Sequence, residues 1–265
     1  TLKKKAERAK SFNLAWVLIA IMIITFHSHS SAEPEQEHDS IFQASLFEAL
    51  VEGVYEGDLT YGELKKHGDF GLGTFNRLDG EMVGVDGVFY RIDSDGKVSI
   101  VEDSMKSPFA SVTFFDANET LVPDRQLNCE DLKQYIEKAL PEENIFYAIK
   151  VSGEFEYLKT RSVHAQEKPY PPISQAVKEQ SEFDLENIKG TIAGYWFPLY
   201  ISGVSQSGFH FHFISDDKQS GGHVLECKTK DIVIEIDHIR DFQIDLSDTE
   251  DFNKADLQKE SKKEK

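Results

Sequence analysis

Cysteine is scarce in this chain. Two residues in 265 exclude the small disulfide-stapled scaffolds, and a chain of this length buries a core without such staples. Long apolar runs are missing too. The longest, residues 14–26, is broken by Thr25 and is too short to span a bilayer comfortably. Basic residues are outnumbered: 29 Lys and Arg face 47 Asp and Glu, for a formal charge of −18. So acidic a chain repels nucleic acid and anionic lipid surfaces, which argues against any polyanion-binding function. There is no H-E-x-x-H, the helical pattern of one large class of zinc hydrolases, and no short-period repeat. What is present, 40% hydrophobic and 29% charged residues, is the composition of a soluble globular protein suited to small-molecule chemistry.

The N-terminus has a different character. Lys3, Lys4, Lys5, Arg8 and Lys10 precede the apolar run, and small and polar residues through Ala32 follow it. This is the layout of a secretory signal peptide over residues 1–32, with cleavage near Ala32. It predicts a secreted or periplasmic protein with no stable membrane association after cleavage; an uncleaved signal anchor is the alternative. Residues 33–40 read as a flexible mature N-terminus. Cys129 and Cys227 are compatible with a pair in an oxidising compartment, and equally with two separate buried thiols.

Local patterns predict short helices and many strands. Ser40 can cap a helix with Phe42, Leu46, Phe47 and Leu50 on one side, and residues 60–66 form a second. From Phe70 onwards strands dominate, including a hairpin about Asp93-Ser94-Asp95-Gly96. Asn128 can cap a helix that Pro141 stops. Pro169-Tyr170-Pro171-Pro172 is extended, and residues 173–180 form another short helix. Strands return at residues 146–151, 154–158, 190–196, 208–214, 222–228 and 231–237. The fold class is therefore α+β: two mixed β-sheet-centred halves with a few short helices. We place an N-terminal sheet domain at 41–145, a C-terminal metal-binding sheet domain at 146–247 and a polar charged tail at 248–265.

The sharpest motif is Gly208-Phe209-His210-Phe211-His212-Phe213. Side chains alternate along a strand, so His210 and His212 share one face and the phenylalanines share the other. A turn sequence ending in Gly221-Gly222 leads to His223. In an antiparallel hairpin about that turn His223 falls opposite or near His212, and three imidazoles converge. Such a set suits catalytic zinc, which takes three protein ligands and leaves a position open; copper, nickel or iron also accept imidazole. The bland alternative for an H-x-H pair is a surface or packed pair.

Further stretches carry a family resemblance over roughly residues 41–245. They are Tyr55-Glu56-Gly57-Asp58-Leu59-Thr60, Gly71-Leu72-Gly73-Thr74-Phe75, Leu78-Asp79-Gly80-Glu81, Phe146-Tyr147-Ala148-Ile149-Lys150, Lys159-Thr160-Arg161-Ser162-Val163 and Pro169-Tyr170-Pro171-Pro172, followed by the histidine block. Together they resemble the alpha-acetolactate decarboxylases. The resemblance implies conversion of 2-acetolactate to (R)-acetoin and carbon dioxide, with Zn2+ on His210, His212 and His223. It implies Glu81 and Arg161 as catalytic residues, a further glutamate from the tail (Glu250 or Glu260) and a homodimer. Zinc would stabilise the enediolate left by the departing carbon dioxide, so no organic cofactor is needed. Arg161 suits a bidentate grip on a carboxylate and Glu81 suits proton delivery. Two other readings remain at this point: an exported cupin-like metalloprotein, and a non-catalytic module that binds metal or a small ligand.

Overall fold

A computed structural model describes residues 40–257. The expected signal segment, most of the expected mature N-terminus and Glu260 lie outside the described residues. Two sheets dominate. The first has seven strands in the order β12-β1-β6-β2-β3-β4-β5, formed by β1 (Ser40–Ala44), β2 (Phe70–Thr74), β3 (Glu81–Val85), β4 (Val88–Ile92), β5 (Val98–Ile100), β6 (Ala110–Thr113) and β12 (Asp241–Asp245). The second runs β10-β9-β8-β11-β7, built from β7 (Glu119–Leu121), β8 (Phe146–Ser162), β9 (Ser181–Phe197), β10 (Gly208–Ser215) and β11 (Gly221–Ile239). Strand β10 also pairs with β11, so β8, β9, β10 and β11 close on one another as a small barrel.

Among the described residues five short α-helices decorate the sheets: α1 (Phe47–Val51), α2 (Tyr61–Leu64), α3 (Cys129–Ala139), α4 (Ile173–Ala176) and α5 (Glu250–Lys254). The cap expected at Asn128 is present, where its side chain accepts from the Asp131 amide at the start of α3, and Thr60 likewise accepts from the Glu63 amide at the start of α2. None of the helices among the described residues is long and apolar enough to cross a membrane.

Two expectations need correction. Ser40 does not cap a helix; it opens β1, and α1 begins only at Phe47. The apolar spacing 42, 46, 47, 50 spans a strand, a corner at Ser45 with φ +60°, and a helix. Strand β1 pairs with β6 on one side and, in parallel, with β12 on the other. Ladder bonds from residues so distant in sequence override a local helical period. Residue 145 also does not separate the two sheets cleanly. Strand β12 lies beyond it yet completes the first sheet, and β7 precedes it yet joins the second.

The sheets pack against each other through a shared core. Ile41, Phe70, Leu72, Val83 and Ile92 from the first meet Ala148, Ala193, Tyr195, Ile214 and Ile239 from the second. Each fully buried Ile or Phe contributes roughly 1.5–3 kcal/mol by leaving water. A second core fills the barrel with Phe155, Ile192, Phe211, Phe213 and Ile234, and α3 covers it through Leu132 and Ile136. Cys129 and Cys227, whose pairing the sequence left open, are joined as a disulfide. It staples the first residue of α3 to β11 across a sequence separation of 98, a loop long enough for about 4.7 kcal/mol of stabilisation on the chain-entropy account.

Candidate metal centre

The alternation in β10 sorts its side chains as the sequence implies. Phe211 and Phe213 are buried in the barrel core, which turns His210 and His212 to the opposite face. The β10–β11 register sets His212 directly opposite His223. The double glycine before His223 makes that approach possible. A Cβ on Gly221 would lie 2.5 Å from the Phe213 carbonyl oxygen; one on Gly222, where φ is +128°, would lie 2.5 Å from that of Arg161.

Three ring nitrogens converge. His210 Nε2 lies 3.1 Å from His212 Nε2 and 3.2 Å from His223 Nδ1, and His223 Nδ1 lies 3.2 Å from His212 Nε2. His212 Nδ1 sits 2.8 Å from the Met82 carbonyl oxygen. A carbonyl only accepts, so Nδ1 must donate, and the Nε2 lone pair of His212 is left facing the cluster. Burial is the main force holding all three imidazoles neutral. It pushes His212 down to about 3 and the other two well below the usual histidine range, with the neighbouring Arg161 acting in the same direction.

This donor set fits a metal. Three neutral imidazoles are deprotonated ligands already, and one is oriented by a backbone carbonyl as ligating histidines usually are. A tetrahedron with metal–nitrogen bonds of ~2.0–2.1 Å has edges of ~3.4 Å, close to the separations here. The three residues form a group able to hold an ion.

Glu81 and Arg161 join them from different sheets. Glu81 opens β3 and is 6% exposed; Arg161 lies near the end of β8, opposite His223 in the ladder. Arg161 Nη1 donates to Glu81 Oε1 at 2.9 Å, and Glu81 Oε2 is 3.5 Å from His212 Nε2. Burial raises the Glu81 pKa, and the Arg161 charge opposes that rise.

All five residues line a cavity of about 240 Å³ whose remaining wall is mostly apolar, with Phe47, Leu50, Leu78, Phe109, Val163, Ile173 and Val177. The sequence reading did not single out these apolar residues for the site, nor Gln206, which also lines it. Leu78 and Val163 stood inside quoted motifs, whereas Gln206 carried no signal. Glu250, a tail candidate, is exposed on α5 and paired with Lys254. It is not among the residues lining the cavity.

The turn that delivers Glu81 is unusual. Arg77 and Leu78 are consecutive non-glycine residues with φ of +68° and +56°, a conformation that costs on the order of 1–3 kcal/mol per residue. Leu78 is nonetheless buried and faces the cavity.

Comparison with known proteins identifies the family. The family profile described as Alpha-acetolactate decarboxylase matches residues 41–259. Alpha-acetolactate decarboxylase of Bacillus licheniformis is 44% identical over 221 residues, covering 83% of this chain and 87% of that protein. The Bacillus subtilis strain 168 protein of the same name is 42% identical over 228 residues, covering 86% and 89%. A crystal structure of alpha-acetolactate decarboxylase from Bacillus subtilis strain 168 superposes with a TM-score of 0.81 at 43% identity, covering 83% of this chain and 94% of that one. A Staphylococcus aureus protein, described as of unknown function and similar to alpha-acetolactate decarboxylase, gives 0.80 at 33% identity, covering 83% and 96%. With most of both lengths matched and the same two-sheet fold, this chain belongs to the alpha-acetolactate decarboxylase family, a family of carboxy-lyases.

Proposed function

We propose that this chain converts 2-acetolactate to (R)-acetoin and carbon dioxide, with zinc held by His210, His212 and His223. One observation carries the reading: three neutral imidazoles meet the Glu81–Arg161 pair inside one cavity. The three histidines would hold zinc, which would supply Lewis-acid stabilisation of the negative charge that develops on the substrate.

The chain's own residues do the rest. Arg161 uses one nitrogen for Glu81, and a guanidinium has further N–H groups with which to grip the substrate carboxylate. The bond to that carboxylate breaks, carbon dioxide leaves, and an electron pair remains on the carbon that held it. That carbon then takes one proton on one face. We assign the delivery to Glu81, a role supported by burial, which favours its protonated form, and by the contact with Arg161 that orients it. The apolar wall of Leu50, Leu78, Val163 and Ile173 keeps bulk water from supplying the proton to the wrong face.

A cupin-like reading expects a second motif far along the chain. Here the third histidine comes from the adjacent strand, which favours the decarboxylase. Export by the N-terminal segment and assembly as a homodimer belong to the same proposal; N-terminal sequencing of the exported product and sedimentation test them. The central test is to incubate purified protein, from residue 33 onwards, with racemic acetolactate. Acetoin forms, disappears with a chelator and returns with zinc, without oxygen uptake. A folded, zinc-loaded sample that yields no acetoin rejects the proposal. Metal binding without turnover would instead indicate a binding module.

A further inference from the structure

Glu81 reaches its place through the turn at residues 76–80, and that turn is held in a conformation its own sequence resists. Arg77 and Leu78 both lie in the left-handed region, and Gly80 follows with φ +99°. Such backbone persists only where its surroundings over-determine it. Here the holding groups can be named. The Arg77 amide donates to the Tyr55 carbonyl at 2.7 Å, and the Gln166 amide donates to the Arg77 carbonyl at 2.7 Å. Thr74 Oγ1 donates to the Gly80 carbonyl at 2.7 Å.

Asn76 is held as well, by side-chain bonds to both backbone groups of Gly57, and Arg77 Nε donates to the Gln166 carbonyl. A further hold comes from Arg91 on β4. Its Nε donates to the Asp79 carbonyl oxygen at 2.7 Å, and its Nη2 pairs with the Asp79 carboxylate. The guanidinium also lies over the Phe75 ring, 5.8 Å from its centroid, and its side chain is only 20% exposed. A planar fork that satisfies a carbonyl, a carboxylate and a ring face at once is something lysine cannot reproduce. The clamp closes two residues before Glu81 and one after Leu78. It therefore governs both the carboxylate that faces Arg161 and the apolar side chain that faces the cavity.

We infer that Arg91, acting through Asp79, is a positioning residue for the reaction: it holds the strained 76–80 turn so that Glu81 meets Arg161 and Leu78 fills the cavity wall. Arg91 does not line the cavity and touches no reacting atom. The inference rests on the decarboxylase reading for its kinetic consequence and on the backbone alone for its structural one.

The test compares the full-length protein with Arg91→Gln, Asp79→Ala and the double variant, each loaded with zinc. Arg91→Gln lowers kcat roughly ten-fold and shifts KM less than about two-fold, because misplacing a reacting group costs rate rather than affinity. Zinc content stays at the native value, since no histidine is touched. Amide hydrogen exchange quickens in a peptide spanning residues 75–84 and not in one spanning 208–226. Asp79→Ala, which keeps the bond from Arg91 to the backbone carbonyl, loses less. The double variant is no slower than Arg91→Gln alone, as expected for two members of one clamp.

Unchanged exchange at residues 75–84 in Arg91→Gln overturns the inference, as does a kcat loss that tracks zinc loss or global unfolding. If Arg91→Gln fails to fold, Asp79→Ala carries the same two readouts on a more exposed residue, and native kcat and exchange in it overturn the inference. Absence of acetoin from the native protein rejects the decarboxylase reading and this inference's kinetic half with it, whereas native exchange in the variants rejects the clamp alone.

Discussion

The two halves of the site are built in opposite ways. The three histidines lie within fourteen consecutive residues, and one hairpin register brings them together. Glu81 and Arg161 are 80 residues apart and meet only because the first sheet docks on the second. Polar links across that docking include His212 to the Met82 carbonyl, Arg161 to Glu81, Ser162 Oγ to the Ile92 carbonyl, and the Tyr195 hydroxyl to the Phe70 and Ser111 carbonyls. A ligand set carried by local pairing survives small shifts between the sheets. An acid held across the sheet interface does not. Metal binding and turnover should therefore be separable by mutation.

The largest effect tests the local half. His212→Ala removes one of the three proposed ligands and the link to Met82, so zinc content should fall well below one per chain and turnover by on the order of 10³-fold or more. Metal analysis beside acetoin kinetics reads both; full zinc occupancy would remove His212 from the ligand set. The interface half comes next. Glu81→Gln keeps shape and zinc but cannot deliver a proton, and kcat falls by roughly 10²–10⁴-fold, the usual worth of a positioned acid or base. Retained turnover at full zinc would take Glu81 out of the mechanism.

Acidity sharpens the comparison further. A histidine unfolded titrates near its ordinary value of 6.5, whereas folded His212 is pushed down to about 3 by burial. Between those values the unfolded chain binds more protons, so stability is fully present above pH ~6.5 and is lost as pH falls towards 3. His210 and His223 shift in the same direction. Melting curves of chelated protein should thus drop steeply across that window, and zinc should delay the drop until protons displace it. A melting temperature that stays flat from pH 7 to 4 would show that the imidazoles are not held neutral by the fold.

The smallest effect on chemistry concerns the staple between α3 and β11. Cys129→Ser with Cys227→Ser should lower stability by roughly 2–4 kcal/mol and leave room-temperature turnover within about two-fold, because the disulfide holds the barrel's cover and not the cavity wall. Denaturant melts and acetoin assays at one temperature check this together. A large loss of turnover would mean that α3 transmits its position to His223 along β11.

How much could be read in advance follows the same division. The His210-x-His212 alternation, the glycine turn and His223 opposite His212 needed only strand geometry, and the register agrees. The cap at Asn128 needed only local chemistry. Glu81 and Arg161 were found by family motif, since a lone glutamate after a turn and a lone arginine in a strand have no local sign of a partner. Strand β1 carries a helical apolar spacing in its local sequence, and what makes it a strand, its pairing with β6 and β12, lies far away along the chain. The cavity's aliphatic wall and Gln206 were invisible for a related reason: enclosure is a property of several elements at once.

The amino-acid sequence alone determined the side-chain alternation, the turn that returns β11 alongside β10, and hence a trio of imidazoles on one face, because each depends on residues within a few positions of one another. The tertiary structure decided which carboxylate and which guanidinium those imidazoles would meet, that two distant cysteines would be joined, and that Arg77 and Leu78 would be held against their own preference. Those outcomes require two sheets to be docked first. Only a packed interface can exclude water from Glu81 and outweigh the cost of a strained turn.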